Sequence, residues 1–534
     1  MWGSEALALG LLESGVDTVS AHESVKSAEV AAACEAQRHG DSPGVELHLS
    51  PARSIESAIA AASIGKAAAV VLPSRSFAAG AAALHAFAER GTTSGLVVVV
   101  IEDPGCEMTP GEIDSRYLAR ELYLPIIEPY SPAEALQAAR QTVALSEAWG
   151  QPVMLRVGLR MLDTRLLMDT ARPPAPKAQK GAVAPQLAPT ALGAYGGEAA
   201  TNARVRRLDA IAAAMETLPY NRVDLTPRSD MLVVAVGAAY GPTRDALTLI
   251  GMESSVQLVK LGTSYPLPRT MLAGAMRNAK RVLVIEEMEP YVETRLSEIA
   301  NKDGIQTQIR GKVFIARGGE LTPWDVADGL GRFAGISPPV DEKRVAMLEK
   351  VAHQVLPERA PALPAEHGMR VAIEGTQAYA GGSKGVSLVV EAPPEWRIAL
   401  SGANPLYFGD WGEGIGVACA LARHSKQQVI VVTEGRGVVG GLSALREAQA
   451  EGLPLMAVVS PEGLSADVGR ALPGARHRPL ELHALSAALG LGETAIVEAG
   501  ACDAERLKAQ IASALAGSKG PRILAFSKPV RGSD

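Results

Sequence analysis

The strongest constraint on the fold is an uninterrupted apolar run at residues 96–101, in which four of the six residues are valine. A half-buried strand alternates apolar and polar residues, whereas a strand of a parallel sheet covered by helices on both faces is apolar throughout. Shorter apolar runs recur along the chain, separated by Ala-rich segments with a helical period. The chain is therefore predicted to be α/β, built on open, mainly parallel sheets.

The predicted elements fall into three groups. The strands of the first group are 45–49, 68–72, 96–101 and 153–157, with helices at 24–39, 55–65, 78–90 and 132–149. The second group has strands at 231–236, 256–261 and 281–285, with helices at 243–250 and 271–277. The clearest strands of the third group are 429–433, 455–459 and 522–526.

Two proline-containing stretches separate these groups. Residues 171–200 hold five prolines among Ala, Gly, Lys and Gln, a composition typical of a linker. A second connection is predicted at 336–368. The predicted division is a domain at 1–170, a linker at 171–228, a domain at 229–335, a linker at 336–368 and a domain at 369–534.

Charge and hydropathy exclude several classes of function. The net charge of the 534 residues is -6, and the absence of basic runs argues against binding to nucleic acid or to an anionic membrane. No apolar run reaches the ~18 residues of a transmembrane helix. The first residues lack the basic and apolar regions of a signal peptide, so a cytoplasmic protein is expected.

The cysteines also restrict the cofactors. Cys34, Cys106, Cys419 and Cys502 are far apart in sequence, and no CxxC motif is present. Iron–sulfur clusters and structural zinc sites normally recruit closely spaced thiolates. We therefore expect neither an iron–sulfur cluster nor a zinc site in this chain.

The sequence contains two G-x-S-x-G patterns, at residues 40–44 and 381–385. A hydrolase nucleophile requires a strand before the serine and a helix after it. Each pattern here leads into a predicted strand, so both are interpreted as ordinary turns.

Two further motifs leave alternatives open. Gly412-Glu-Gly414-Ile-Gly416 has the wrong spacing for a dinucleotide fingerprint, and indicates either close packing at a helix start or a turn that faces a phosphate. Asp114 and Arg116 follow a predicted strand end, where α/β domains bind ligands. They could contact a ligand, or they could pair with each other to fix the loop.

Several short segments, taken together and in order, carry a resemblance to a known family. They are Gly3–Gly10 with 13–16, 102–105 with 114–117, 284–290, 319–323, 414–418 and 428–439. Their order resembles the large (alpha) subunit of indolepyruvate ferredoxin oxidoreductase, a thiamine-diphosphate-dependent 2-oxoacid oxidoreductase. The resemblance extends over essentially the whole chain and implies a pyrimidine-type domain, a middle domain similar to the transketolase C-terminal domain, and a diphosphate-type domain.

In that family an arylpyruvate is oxidatively decarboxylated to an acyl-CoA. Thiamine diphosphate lies between domains of two paired alpha subunits, and iron–sulfur clusters pass electrons to ferredoxin. The resemblance therefore implies a homodimer, a beta- or gamma-type partner subunit and a ferredoxin-like partner.

The residues expected at the pyrimidine ring of the cofactor are replaced. Where the family places a glutamate against the aminopyrimidine, this chain has Pro51, which can supply no proton. Glu56 matches a second family glutamate one helical turn further on, which should point elsewhere. The substrate loop is replaced by the segment at 23–28, and a Lys-His pair by Pro73-Ser74.

The diphosphate side is altered as well. The family binds Mg²⁺ through the Asp of a Gly-Asp-Ser turn and through a later Asn. This chain has Thr433-Glu434-Gly435 and Pro461 at those places, and the segment at 402–405 replaces a Gly-Asp-Ile-Gly-Cys motif. The paired-cysteine motif and the ferredoxin domain of the family have no counterpart in the sequence.

We therefore expect a degenerate, non-catalytic or repurposed scaffold subunit (a pseudoenzyme) that binds no cofactor or metal and has no catalytic residue. The alternative is an active subunit that binds thiamine diphosphate and Mg²⁺, with the redox clusters on a partner chain. The retained groups that could contact a ligand in the cleft are Asp114, Arg116, Gly412, Gly414, Gly416, Glu434, Gly435 and Ser460.

Overall fold

The structure is a computed structural model with two compact units, one within residues 1–340 and the other within 341–534. It describes residues 1–22, 24–38, 44–48, 50–92, 94–106, 112–170, 198–225, 229–336, 364–383, 385–391, 406–408, 413–425, 427–460, 496–499, 502–516 and 520–526. Within these ranges, no helix is both long enough and apolar enough to cross a membrane.

The first unit contains two sheets. In the described residues, the first sheet has the strand order β10-β5-β6-β4-β3-β1-β2, and all pairs are parallel except β10 with β5. Its strands are β1 (Thr18–His22), β2 (Gly44–His48), β3 (Ala68–Pro73), β4 (Leu96–Glu102), β5 (Ile126–Ile127), β6 (Val153–Gly158) and β10 (Thr263–Tyr265). Every residue of β4 is buried, as the apolar run predicts.

Helices cover this sheet. They are α1 (Gly3–Glu13), α2 (Val25–Ala36), α3 (Pro51–Ser63), α4 (Ser74–Phe77), α5 (Ala81–Arg90), α6 (Ser115–Glu121), α7 (Pro132–Trp149) and α8 (Leu159–Leu162). Helix α7 has the predicted bounds, because Ser131 caps its start and Gly150 ends it in the left-handed conformation. Helix α1 packs so closely on α7 that a Cβ on Gly10 would lie 2.6 Å from Ala139 Cβ.

The second sheet of this unit has the order β12-β11-β8-β9-β7 in the described residues. Its strands are β7 (Arg222–Leu225), β8 (Met231–Val236), β9 (Gln257–Leu261), β11 (Arg281–Ile285) and β12 (Gln308–Arg310), and β7 alone among them is antiparallel to its neighbour. The helices are α9 (Glu198–Met215), α10 (Tyr240–Leu249), α11 (Arg269–Arg277), α12 (Tyr291–Lys302) and α13 (Pro323–Ala334). Helix α9 and strand β7 lie in the stretch that the sequence analysis assigned to a linker.

The second unit holds one sheet, with the order β14-β13-β15-β16-β18-β17 and only parallel pairs in the described residues. Its strands are β13 (Val386–Glu391), β14 (Leu406–Phe408), β15 (Gln428–Glu434), β16 (Leu455–Ser460), β17 (Ile496–Ala499) and β18 (Arg522–Phe526). The helices are α14 (Pro364–Gly382), α15 (Glu413–Ser425), α16 (Gly435–Gly440), α17 (Leu442–Glu451) and α18 (Ala504–Leu515).

These three mainly parallel sheets confirm the predicted fold class. One difference in element bounds has a local cause. Helix α3 begins at Pro51 rather than at residue 55, because proline fits the first position of a helix. The second G-x-S-x-G pattern begins in the last turn of helix α14 and ends just before strand β13, the reverse of a nucleophile elbow. Most of the first pattern lies outside the described residues.

Candidate functional site

The strand order of the second unit defines a crevice at one edge of its sheet. From β13 the chain moves outward to β14 and then returns to β15, on the other side of β13. Adjacent strands whose connections leave in opposite directions form a topological switch point, and open α/β sheets bind ligands outside the carboxyl ends of such strands. In this unit those ends are Glu391 of β13 and Thr433-Glu434 of β15.

The carboxylate of Glu391 lies in this crevice and is fully buried. Its Oε1 accepts a 2.6 Å hydrogen bond from the backbone N–H of Gly414, the second residue of α15. Its Oε2 accepts a 2.5 Å hydrogen bond from the hydroxyl of Thr433, which is also fully buried. The carboxyl group of Glu391 thus lies at the N-terminal, positive end of the 13-residue helix α15.

Glycine is required where two backbone segments approach this carboxylate. A Cβ on Gly437 of α16 would lie 2.0 Å from Glu391 Oε2 and 1.9 Å from Thr433 Oγ1. A Cβ on Gly414 would lie 3.0 Å from Glu391 Oε1, whereas one on Gly416 would have no neighbour within 4 Å. Gly414 therefore combines the two features that the motif indicated. It is closely packed at the start of a helix, and its N–H group faces a carboxyl group, which is that of Glu391 in the same chain.

Other predicted ligand contacts lie at the same edge of the sheet. Glu434 is the last residue of β15 and the residue before α16, and Ser460, which ends β16, is its partner across the strand pair. Both are buried, with 5% and 3% of their surface exposed. Gly435 begins α16 and is also buried. Gly412 and Pro461 lie outside the described residues.

Asp114 and Arg116 lie in the first unit and pair with each other. Arg116 is 1% exposed, and its guanidinium donates through Nε and Nη2 to the two carboxylate oxygens of Asp114 at 2.8 and 2.6 Å. Although burial acts in the opposite direction, Arg116 holds the pKa of Asp114 below its usual value. Of the two interpretations of this motif, the geometry is that of the contact that fixes the loop.

The same guanidinium reaches the second sheet of the unit. Nη1 of Arg116 donates to Glu286 Oε2 at 2.6 Å, and Nη2 donates to the carbonyls of Glu287 and Glu289 at 3.0 and 3.1 Å. Glu286 follows β11 and also accepts the N–H groups of Val292 and Glu293 in the first turn of α12. Burial raises the pKa of Glu286 despite these favourable contacts. Every nitrogen of the Arg116 guanidinium therefore donates to a protein oxygen.

A second buried arginine lies beside this contact. Arg156 donates to Glu102 Oε1 at 3.0 Å and to Glu128 Oε2 at 2.6 Å. The other carboxylate oxygens, Glu102 Oε2 and Glu128 Oε1, are buried and have no hydrogen-bond partner among the described residues. Burial raises the pKa of Glu102, and the charge of Arg156 only partly offsets this effect.

Pro51, at the place expected to hold a cofactor glutamate, is the first residue of α3, and two residues separate it from the end of β2. Glu56, one turn further along the helix, is exposed and forms an ion pair with Arg53 at 2.9 Å. Among the residues that the structure describes, no group of three or more His, Cys, Asp and Glu side chains is arranged to hold a metal ion.

No family model matches the chain. In direct sequence comparison, it is 24% identical over 376 residues to indolepyruvate oxidoreductase subunit IorA of Pyrococcus abyssi, with 68% of this chain and 56% of the relative covered. It is 25% identical over 441 residues to IorA of Methanothermobacter marburgensis, with 80% and 69% covered. The chain is similar to IorA. This confirms the resemblance found in the sequence, although the chain spans only about half the length of the P. abyssi relative.

The chain also has a partial structural similarity to two solved proteins. One is 2-oxoglutarate:ferredoxin oxidoreductase from Magnetococcus marinus, at 16% identity and a TM-score of 0.46, covering 62% of this chain and 64% of that one. The other is a split gene transketolase described as an inactive beta4 tetramer, at 14% identity and a TM-score of 0.43, covering 62% and 97%.

Sequence analysis missed Glu391, Glu102 and Glu128, and the similarity to IorA did not point to them either. One local signal could have found two of them. Glu391 and Glu102 each end an apolar strand run, so a lone glutamate follows valine or isoleucine at the carboxyl edge of a parallel sheet. Glu434 also ends its strand, β15, although it follows Thr433 rather than valine or isoleucine. An acidic residue at that position is forced toward the ligand-binding edge of the sheet.

Proposed function

We propose that the chain is a scaffold subunit of a 2-oxoacid oxidoreductase system of the indolepyruvate or arylpyruvate type, and that it does not itself catalyse thiamine-diphosphate-dependent decarboxylation. The sequence similarity to IorA supports the first part of this proposal. The second part rests on one observation, the position of Pro51.

Pro51 starts helix α3 at the place where the resemblance calls for a carboxylate against the aminopyrimidine ring. A proline side chain neither donates nor accepts a proton, and general acid–base groups contribute typically 10²–10⁴-fold to a rate. The nearest candidate substitute on the helix is Glu56, which is exposed and paired with Arg53. Thiamine diphosphate therefore does not fit the residues present on this side.

The opposite side agrees with this proposal. Glu434 replaces the metal-binding aspartate of the family, and the hydroxyl of Thr433 is already engaged by Glu391. Pro461 replaces the asparagine ligand and has neither a side-chain oxygen nor an N–H group. A diphosphate bound without a metal ion would keep its full negative charge beside the buried carboxylates of this edge.

The remaining parts of the proposal concern partners. The chain is proposed to pair with a second copy of itself in the cytoplasm, and to work with a beta- or gamma-type subunit and a ferredoxin-like partner that carry the redox centres. In this proposal Asp114 and Arg116 have a structural role, and Gly412, Gly416, Glu434, Gly435 and Ser460 are the retained residues that would face a ligand, whereas the N–H of Gly414 already donates to Glu391. Light scattering should give twice the mass of the chain, and a monomer at micromolar concentration would contradict the pairing.

The catalytic part is tested with the purified chain, thiamine diphosphate and Mg²⁺. We expect no heat of cofactor binding in calorimetry and no CO₂ from indolepyruvate or phenylpyruvate with an artificial electron acceptor. The variant Pro51→Ala, as matched control, should behave like the unaltered chain. The triple variant Pro51→Glu, Glu434→Asp, Pro461→Asn should be needed before any cofactor binds. Release of CO₂ by the unaltered chain would instead identify it as an active oxidoreductase subunit.

A further inference from the structure

The crevice between β13 and β15 has the features of an anion site. The N–H of Gly414 in the first turn of α15 points into it, and so does the hydroxyl of Thr433. Backbone N–H groups at a helix N-terminus bind phosphates and carboxylates because the orphan donors and the helix dipole both favour negative charge. The two donors converge on one carboxylate, that of Glu391.

We propose that Glu391 is a built-in ligand of this crevice: an intramolecular carboxylate that occupies a phosphate-type site and excludes diphosphate compounds from it. The inference deepens the proposed function, on which it rests, because it supplies a physical reason why a diphosphate cofactor does not bind this unit.

Two properties of the crevice support exclusion. The first is space, because the backbone of Gly437 lies so close to Glu391 that a Cβ on this glycine would be 2.0 Å from Glu391 Oε2, which leaves no room for a phosphate group between them. The second is charge. Glu391 is fully buried, so a second anion at the same helix end would meet its carboxylate at close range in a region of low dielectric.

Glu391 is not part of the local sequence of helix α15. Ordinary N-terminal caps come from the residue just before the helix or from its first turn, whereas Glu391 lies 23 residues before Gly414. The carboxylate reaches α15 because β13 ends at the switch point of the sheet. It therefore takes the position that the fold offers to an external ligand.

The test removes the side chain and supplies an anion from solution. In Glu391→Ala, 100 mM sodium acetate should raise the melting temperature of the second unit, compared with 100 mM sodium chloride, because acetate restores the missing carboxylate. Isothermal calorimetry should show that inorganic diphosphate binds Glu391→Ala at least about tenfold more tightly than it binds the unaltered chain, since the competing carboxylate is gone. The control Glu374→Ala removes an exposed glutamate of α14 from the same unit and should show neither effect.

Two results would overturn the proposal. One is binding of inorganic diphosphate to the unaltered chain as tightly as to Glu391→Ala, and the other is a folded Glu391→Ala that neither acetate nor diphosphate stabilises. If Glu391→Ala does not fold, Glu391→Ser, which also removes the charge and most of the side chain, should still bind inorganic diphosphate about tenfold more tightly than the unaltered chain. Equal affinity of that variant and the unaltered chain would also refute the idea.

The CO₂ assay and the acetate rescue, taken together, distinguish a failure of this inference from a failure of the proposed function. If the unaltered chain released CO₂ from indolepyruvate while acetate still rescued Glu391→Ala, the non-catalytic assignment would fail and the role of Glu391 would stand. If the unaltered chain were inactive and no anion rescued Glu391→Ala, the role of Glu391 would fail and the non-catalytic assignment would stand.

Discussion

Removal of the Arg116 guanidinium should destabilise the first unit more than any exposed substitution. In Arg116→Met, the carboxylates of Asp114 and Glu286 stay buried, at 4% and 1% side-chain exposure, without their shared cation. Loss of one member of a buried ion pair costs about 3–5 kcal/mol because a charge is left uncompensated. Two carboxylates depend on this arginine, so we expect the upper part of that range, about 4–5 kcal/mol.

Differential scanning calorimetry measures the effect. With an unfolding entropy of about 2.1 cal/mol/K per residue, a unit of roughly 300 residues loses about 1.5 °C for each kcal/mol. The transition of the first unit should therefore move down by about 6–8 °C in Arg116→Met. The transition of the second unit should stay in place, which makes it an internal reference.

Arg317→Met is the matched control. Arg317 is 65% exposed and lies 3.5 Å from Glu289, whose side chain is 51% exposed. Exposed ion pairs contribute about 0–1 kcal/mol, so this change should move the transition by less than about 2 °C. If Arg116→Met also moved the transition by less than about 2 °C, the Asp114–Arg116–Glu286 contact would not hold the two sheets of the first unit together.

Three further predictions follow from single groups. Burial lowers the pKa of Lys312 to about 8, so the unfolded chain binds more protons than the folded chain between pH 8 and 10.5, and the free energy of unfolding of the first unit should rise with pH across that window. Denaturant titrations should show that Lys312→Met removes this rise. An unchanged dependence of the unfolding free energy on pH in that variant would contradict the assignment. Gly437→Ala should lower the stability of the second unit by at least about 1–3 kcal/mol through overpacking, whereas Gly416→Ala, in open space, should be neutral or stabilising by up to about 1 kcal/mol. Burial raises the pKa of the Cys34 thiol to about 12, so Cys34 should not react with a disulfide reagent at pH 8 until the protein unfolds, and fast labelling mapped to it by mass spectrometry would refute this.

The sequence predicted the buried strands well because their signal is local. The bounds of β8 and β11 agree residue for residue with the predicted ranges, since each is a short apolar run between polar residues. Strand β1 and helix α1 were missed. Strand β1 has the sequence TVSAH, in which polar residues break the apolar run although four of its five residues are buried.

Elements with distant partners could not be predicted in this way. Strand β10 has only three residues and pairs with the distant Ile126–Ile127, so no pattern within its own segment predicts a strand. Helix α9 was hidden by the proline-rich composition of the stretch before it. Tertiary contacts, rather than local propensity, decide such elements.

The candidate site shows the same limit. The glycines near residue 414 indicated a helix start or an anion-facing turn, and the helix does begin at Glu413. What the sequence alone could not supply was the identity of the anion beside Gly414. That contact depends on the strand order, which brings the end of β13 next to α15.

The pairing of β10 with β5 has a consequence for synthesis on the ribosome. Strand β5 (Ile126–Ile127) is made long before its partner at Thr263–Tyr265, and at 5–20 residues per second the delay is about 7–27 s. During that time the first sheet presents an unpaired edge to other nascent chains. Long exposed edge strands are the ones that template aggregation, whereas β5 is only two residues long. The shortness of this strand therefore protects the nascent chain until its partner strand emerges.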